Sequence, residues 1–329
     1  MVIPVRNERA AIEACLASVL AQSEPALQVL VVDGRSDDGT PDVVRRVAER
    51  DPRVELLENP DRVVPHALNR ALDAARAPWL VRVDGHAEIQ PGYVARAVEH
   101  LRTGRYAGVG GVKRSVGRTA AGRAIAVAMS SRLGVGGSYY HYGTEPREVE
   151  HVPFGCYAVD VARELGGWDE TLVVNQDFEF DHRLRKAGHR LLFDPQLVID
   201  WECRQSVRDL FRQYRRYGRG KVKVALLHPD SVRVRHLLPP ALVAVLAGAA
   251  AVSLVQPAAL VVVLGYPTAL AIAALGTGRA ELAGRERLFL PAAFAAMHVG
   301  WGVGFWQGLL RDRGRATAAV VATSARPAG

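Results

Sequence analysis

The chain has 329 residues, a formal net charge of +8 and a pI near 9.7, which allows one large domain or two of ordinary size and points to an anionic partner such as phosphate or a lipid surface. Its three cysteines, Cys15, Cys156 and Cys203, are odd in number and far apart, which excludes a disulfide framework and a cysteine-based zinc site and fits a reducing compartment. The charge is unevenly spread. Residues 1–236 carry nearly all of it, whereas 237–310 are rich in Ala, Val, Leu and Gly around one short charged patch.

In chain order, Val2 to Val5 reads as a strand, with no secretory leader before it in the chain as written. That strand starts so close to Met1 that a few of its residues are expected upstream. Asn7-Glu8 opens a loop, and Ile12, Cys15, Leu16, Val19 and Leu20 recur at helical spacing. Leu27 to Val32 is a second strand closed by Asp33, and the polar loop after it ends with Thr40 as the expected N-cap and Pro41 at the first helical position. Val43, Val44 and Val47 form the buried face of that helix. Arg53 to Leu57 is a third strand, and Pro65 opens a helix with Leu68, Ala71, Leu72 and Ala75 inward. A strand from Trp79 then ends at Asp84-Gly85-His86. Alternation of strands and helices argues an α/β domain with a mainly parallel sheet flanked by helices.

Asp33 and Asp84 thus close two strands, and Asn7-Glu8 follows another. Each has a plain reading as a turn or cap residue. Three such groups at strand carboxyl ends also suit a ligand, because open α/β sheets bind there. Asp84 and His86, with a permissive glycine between, can face one hard cation carrying a diphosphate.

Residues 104–150 are rich in Gly, Ser and basic groups and read as a long loop, either a lid or disordered. Lys113 and Arg114 within it suit phosphate or a solvated surface equally. Val152 to Val159 reads as a strand or turn region. Asn175 is an expected N-cap, which places Asp177 in a first helical turn with Phe180, Leu184 and Ala187 on the packed face. From Arg204 to Lys223, basic residues interleave with Leu210, Phe211, Tyr214 and Tyr217, as in an interfacial helix on anionic lipid. No nucleic-acid fold signature accompanies them, so no nucleic-acid partner is expected.

Leu237 to Val255, Ala258 to Leu275 and Leu288 to Leu310 are three apolar runs near the roughly 20 residues that cross a bilayer. Arg279, Arg285 and Arg287 favour a cytoplasmic loop, and Arg311, Arg313 and Arg315 favour a cytoplasmic tail. Three full spans cannot satisfy both, so one run is expected to be re-entrant or interfacial. The expected organisation is a catalytic domain over 1–203, a basic interfacial segment over 204–236, a membrane region over 237–310 and a basic polar tail over 311–329.

Ile3-Pro4-Val5-Arg6-Asn7-Glu8, the loop from Asp33 to Thr40, Val83-Asp84-Gly85-His86, Gly166-Gly167-Trp168-Asp169 with Gln176-Asp177, and Gln213-Tyr214-Arg215-Arg216-Tyr217 together resemble the motifs of family 2 glycosyltransferases, which have the GT-A fold. The resemblance implies that Pro4, Asn7, Glu8 and Asp33 line the nucleoside pocket, that Asp84 and His86 hold Mn2+ or Mg2+ on the donor diphosphate, and that Asp177 is the catalytic base of an inverting transfer. It also implies that Gln213 and Arg216 lie near the acceptor or diphosphate. His86 replaces the family's second Asp, Gln176 its usual Glu, and Tyr217 its usual Trp. The whole-chain pattern, with Asp84-Gly85-His86-Ala87, the run from Gln213 to Lys221 and the late hydrophobic segments, is most similar to members that assemble exopolysaccharide. The implied activity is transfer of a hexose, glucose first among candidates, from a UDP-sugar to a polyprenyl-diphosphate-linked saccharide. The implied location is a bacterial-type inner membrane, catalytic domain toward the cytoplasm, with other polysaccharide-assembly proteins as possible partners. The alternatives are a polyprenyl-phosphate glycosyltransferase, which needs no strong base, and a non-catalytic membrane sugar-nucleotide sensor or scaffold.

Overall fold

The computed structural model describes residues 1–24, 27–278 and 281–324, with side chains as far as residue 311. The chain divides into two compact units, one made of 1–116 and 138–202, the other of 117–137 and the chain from Cys203 onward. The side chains of Arg313 and Arg315 in the expected tail, and Arg279 before it, lie outside the described residues.

The first unit begins β1 (Val2–Val5), α1 (Ile12–Leu20), β2 (Val29–Asp33), α2 (Thr40–Ala48), β3 (Val54–Glu58), α3 (Val64–Ala74), β4 (Trp79–Val81), β5 (Ala87–Ile89) and α4 (Tyr93–Arg102). It continues through β6 (Gly108–Val116) and, after the 117–137 excursion, β7 (Arg147–Glu148), β8 (Cys156–Ala158), α7 (Val159–Glu164), α8 (Gln176–Lys186) and β9 (Leu191–Glu202). The second unit holds α5 (Ala120–Met129), α6 (Arg132–Val135), α9 (Val207–Leu227), α10 (Val234–Val252), α11 (Leu260–Gly276), α12 (Gly284–Arg287) and α13 (Leu290–Ser324).

β1, β2 and β3 form a parallel sheet in that order. Every residue of β1 and β2 is buried, the mark of strands covered on both faces. A parallel bridge from Val2 to Arg82 joins this sheet to a second one ordered β4-β8-β6-β9-β5, with β7 paired to β9. The expected α/β class with a parallel sheet is present. The added finding is that the second sheet is mostly antiparallel, with β6–β9 its parallel pair. One core of Leu30, Leu68, Leu72, Leu80, Tyr157, Trp168, Phe180 and Leu184 lies beneath α3, α7 and α8. Trp168 stacks on Phe180 at 4.5 Å between ring centroids.

Three expectations change. Residues 104–150 are not one loop, because 108–116 form the nine-residue strand β6. Its glycines are packing residues: a Cβ on Gly110 would lie 2.7 Å from Val152 Cβ, and one on Gly111 would meet the carbonyls of Leu197 and Asp194 at a register shift. Thr40 is not the cap of α2. Gly39 is, at φ 89°, and Asp38 accepts from the Thr40 amide at 2.9 Å in the capping manner. The strand expected to run to Asp84 ends at Val81. Beyond it Val83 donates to the Val2 carbonyl at 3.0 Å, and a turn closed by Ala87 N–H to the Asp84 carbonyl (2.9 Å) presents Asp84-Gly85-His86.

Candidate active site

The loop after β1 and the loop after β2 are laced together by short-side-chain bonds. Asn7 takes the left-handed conformation at φ 59°, which its side chain tolerates better than most. Its Oδ1 accepts from the Asp37 amide at 3.0 Å, and its own amide donates to Ser36 Oγ at 2.9 Å. The Glu8 amide donates to Thr40 Oγ1 at 2.9 Å. Asp33 is buried and accepts from the amide and hydroxyl of Ser36 at 3.0 and 2.6 Å. The turn-forming role of Asp33 is therefore real, and it fixes the carboxylate at the carboxyl end of β2 beside Asn7's loop. Pro4 lies within β1, paired with Val32.

The Asp84-Gly85-His86 turn lies close over the end of β1. A Cβ on Gly85 would stand 2.7 Å from Val5 Cγ1 and 3.2 Å from Glu8 Cγ, so only glycine permits the approach. Asp84 Oδ1 accepts from Arg82 Nε at 3.0 Å and Nη2 at 2.9 Å. His86 Nδ1 lies 2.9 Å from Glu8 Oε1. A carboxylate acceptor places the ring proton on Nδ1, which leaves Nε2 with its lone pair for a cation, the carboxylate–histidine–metal arrangement of many metal sites. Both of these bonds run to Oδ1. The donor set, one carboxylate oxygen and one oriented imidazole nitrogen, fits a divalent ion that keeps room for diphosphate oxygens; imidazole suits manganese better than magnesium. Glu8 was expected only as a pocket-lining residue. Its carboxylate also orients the histidine, 78 residues away in sequence. Burial disfavours the imidazolium of His86, but the Glu8 bond and the Asp84 charge outweigh it and raise its pKa.

Asp177 sits in the first turn of α8, half-buried, with Oδ1 accepting from the Phe178 amide at 2.9 Å. Asn175 precedes it in the left-handed conformation (φ 62°) and makes no side-chain cap, so this helix start is set by backbone shape rather than by capping. Burial pushes the Asp177 pKa up. His151, Arg82, the Phe178 amide and Lys113 together outweigh that and hold the carboxyl below its usual range, ionised at neutral pH.

One turn further on, Asp181 is fully buried and accepts from the Tyr157 hydroxyl (2.7 Å), the Val152 amide (2.9 Å) and His151 Nδ1 (2.7 Å). Here burial dominates and the pKa is raised. Asp181 ties α8 to the 151–157 segment, which carries Phe154 in the left-handed region at φ 51°, a strained position for an aromatic residue. The glycine-tryptophan motif is structural in the same way. Asn69 brackets Trp168 with bonds of 2.8 and 2.9 Å, and Arg183 donates to the carbonyls of Leu165 and Gly167 at 2.6 and 2.7 Å.

Two cations that sequence reasoning had missed or left undecided connect these halves. Arg82, buried at the end of β4, pairs with Asp84, lies 5.3 Å over the Phe154 ring and feels the charge of both Asp84 and Asp177. Lys113, on β6, places Nζ 3.7 Å over Trp201 and 5.0 Å over Phe154, and its charge acts on both His86 and Asp177. Its neighbour Arg114 instead pairs with Asp200. Arg82 was legible only as the polar break in an apolar strand. The first unit thus brings Asp33, Asn7, Glu8, Asp84, His86 and Asp177 onto the same strand ends and helix start. Gln213 and Arg216 lie on α9 in the second unit, Gln213 buried with Nε2 3.1 Å from the Tyr217 hydroxyl and Arg216 exposed.

Residues 1–158 match the family described as glycosyl transferase family 2. The chain is also 36% identical over 322 residues to the succinoglycan biosynthesis protein ExoA of Rhizobium meliloti (strain 1021), an alignment covering 96% of each. The chain belongs to glycosyltransferase family 2. A second relative of this family 2 chain is a Methanococcus voltae dolichyl N-acetyl-alpha-D-glucosaminyl phosphate 3-beta-D-2,3-diacetamido-2,3-dideoxy-beta-D-glucuronosyltransferase, 26% identical over 231 residues, 67% of this chain and 72% of the relative. Among solved structures, the mannosyltransferase PcManGT of Pyrobaculum calidifontis, in complex with GDP-Man and Mn2+, superposes with a TM-score of 0.58 at 23% identity, covering 91% of this chain and 85% of that one. That likeness shows the GT-A fold of the family 2 enzyme.

Proposed function

We propose that this family 2 enzyme is a membrane-associated inverting hexosyltransferase of exopolysaccharide assembly, moving a sugar, glucose first among candidates, from a UDP-sugar to a polyprenyl-diphosphate-linked saccharide. The reading rests above all on one observation: Arg82 pairs with Asp84 and its charge also acts on Asp177, while the charge of Lys113 acts on both His86 and Asp177. That spacing of charge suits a reaction in which negative charge builds at one end and a proton leaves at the other.

In this mechanism the nucleoside lies against the Pro4–Glu8 and Asp33 loops, with its diphosphate toward Asp84 and His86. Asp177 accepts the proton of the acceptor hydroxyl as that oxygen attacks the anomeric carbon, and the bond from that carbon to the diphosphate oxygen breaks with its electron pair going to the nucleoside diphosphate. A divalent ion held by Asp84 and His86 would stabilise the departing diphosphate as a Lewis acid. The chain adds fixed positive charge of its own: Arg82 holds Asp84 in place, and Lys113 is pinned on Trp201 so that its ammonium stays near the reacting centre. Asp177 is ionised before substrate arrives, as a base must be.

The membrane part of the proposal draws on three apolar helices of the second unit and on the similarity to a succinoglycan biosynthesis protein. Cytoplasmic orientation and Gln213–Arg216 as an acceptor contact belong to the same proposal. The test is a donor screen on membrane-embedded protein with Mn2+ and extracted lipid acceptors, the product identified by mass spectrometry. A hexose added to a lipid-linked saccharide supports the reading. Donor binding without turnover across all sugars and acceptors would replace it with a sensor.

A further inference from the structure

Among the described residues, the second unit contains three helices long and apolar enough to cross a bilayer, Val234–Val252, Pro257–Gly276 and Gly284–Arg311. They are not alike. The most apolar stretch of the third is 44% buried within the protein, against 11% for each of the other two.

The third is covered by α9 and by the start of α10, where a Cβ on Gly302 would overlap the Pro239 carbonyl and Trp306 Nε1 donates to the Pro240 carbonyl at 2.9 Å. Gly300, Gly304 and Gly308 of α13 recur every fourth residue and form a smooth stripe. A Cβ on Gly300 would lie 2.9 Å from the Phe211 carbonyl oxygen and one on Gly308 2.9 Å from that of Arg219, while one on Gly304 would overlap the Arg215 carbonyl. From the other side, a Cβ on Gly218 would stand 3.0 Å from the Phe305 nitrogen. The two helices therefore run parallel, backbone against backbone, over 211–222 and 300–308. Along this contact α9 carries Arg212, Arg215, Arg216, Arg219 and Lys223, all exposed. Charges at this density cannot enter hydrocarbon, so the part of α13 that α9 accompanies does not enter it either.

The start of α13 is equally committed to protein. Leu290, Ala293 and Phe294 are fully buried, and His298 Nε2 lies 2.7 Å from the Leu133 carbonyl at the end of α6. Glu286, just before α13, pairs with Arg123 of α5 at 2.6 Å. By contrast, residues 237–278 contain no Asp, Glu, Lys or Arg. From Ala241 to Thr268 the α10–α11 hairpin exposes apolar side chains such as Val245, Leu254, Val255, Val261 and Leu264.

We propose that the α10–α11 hairpin alone enters the bilayer and that α13 is a docked helix lying outside the hydrocarbon, so that α9, residues 281–287 and the end of α13 share one face of the membrane. This arrangement removes the conflict between two basic segments that three spans would place on opposite faces, because a hairpin returns the chain to the side it left. It rests on the membrane reading above and makes a separate statement about sidedness.

The test introduces single cysteines at Arg208, Glu281 and Arg311 in the full chain, whose own three cysteines are buried, and labels inverted and right-side-out vesicles with a membrane-impermeant maleimide. All three positions are expected to react from the same face. Labelling of position 311 only from the face opposite to 208 would overturn the proposal. C-terminal fusions, one to a fluorescent protein that matures only inside the cell and one to a phosphatase active only outside, give the same decision if a cysteine variant fails to fold. Sedimentation with vesicles after alkaline washing scores membrane association itself: a chain left in the supernatant defeats the membrane reading, whereas a sedimenting chain with opposite-face labelling defeats only the hairpin.

Discussion

Asp181 offers the sharpest quantitative handle on the helix start that carries Asp177. Its carboxylate takes three donors, the Tyr157 hydroxyl, the Val152 amide and His151 Nδ1, at 2.7–2.9 Å and with no solvent exposure. Asp181→Leu removes the acceptor and leaves the buried Tyr157 hydroxyl and Val152 amide unsatisfied. At about 1–3 kcal/mol for each unsatisfied buried group, the loss is at least about 2 kcal/mol, a large share of the roughly 5–15 kcal/mol that holds a domain together. Asp181→Asn keeps one oxygen for the amide and the imidazole, and the tyrosine hydroxyl can rotate to accept from the new amide, so its cost is about 1 kcal/mol. The pH dependence separates the two further. Because burial raises the folded-state pKa of Asp181, its contribution is full below the unfolded value of about 3.9 and is lost as pH rises through the raised value. Asp181→Asn removes that loss and gains on the wild type as pH increases. Urea unfolding followed by tryptophan fluorescence is suitable, since Trp168 stacks on Phe180 in the same core. An Asp181→Leu protein within about 0.5 kcal/mol of wild type would refute the buried-acceptor account.

Other consequences are as direct. Lys113→Met, which keeps the apolar contact with Trp201 and deletes the charge, should lower turnover by about a hundredfold with little change in unfolding midpoint; an unaltered rate would return Lys113 to the surface role. Glu8→Gln should weaken divalent-metal affinity by about 10–100-fold through the freed orientation of His86, read by titrating Mn2+ against donor binding, and unchanged affinity would mean that His86 is only part of the turn. Asp194 is buried, with Oδ2 at 2.6 Å from Arg96 Nε and 2.7 Å from His100 Nε2. Burial pushes its pKa up, but the Gln196 amide, His100 and Arg96 outweigh it and leave it lowered. The stability from Asp194 is therefore present above the unfolded pKa and lost as pH falls through the folded one. Asp194→Asn should cost about 1.5–3 kcal/mol at neutral pH and flatten the acid side of the stability profile; a parallel acid limb would show that the group does not titrate on unfolding.

Much of the donor half was legible because it is local. A strand of four apolar residues and the Asp33 that closes the second strand are decided within a few residues of themselves and stand where expected, whereas the strand expected to reach Asp84 stops at Val81. What stayed hidden is what the fold decides. Gly108, Gly110 and Gly111 weaken any strand signal, yet they form the start of β6 because Leu191 and Tyr157, Val152, and two carbonyls respectively leave no room for side chains. The Glu8–His86 pair spans 78 positions, and no periodicity reports it. Arg82 broke an apolar strand without showing that it would pair with Asp84 and sit near Asp177. In α13, hydropathy counted the apolar residues correctly but carried no information on what covers them: the same composition serves for lipid and for a glycine stripe laid against an arginine-rich helix.

The division of labour between the two carboxylates is the centre of this account, and one paired measurement addresses it. Donor binding by calorimetry in the presence of Mn2+ and initial rate of sugar transfer to a lipid-linked saccharide are taken on Asp84→Asn and Asp177→Asn side by side. The account predicts that Asp84→Asn loses donor binding, whereas Asp177→Asn binds donor like the wild type and transfers about 10²–10⁴-fold more slowly. Wild-type transfer by Asp177→Asn, or wild-type donor binding by Asp84→Asn, would contradict it.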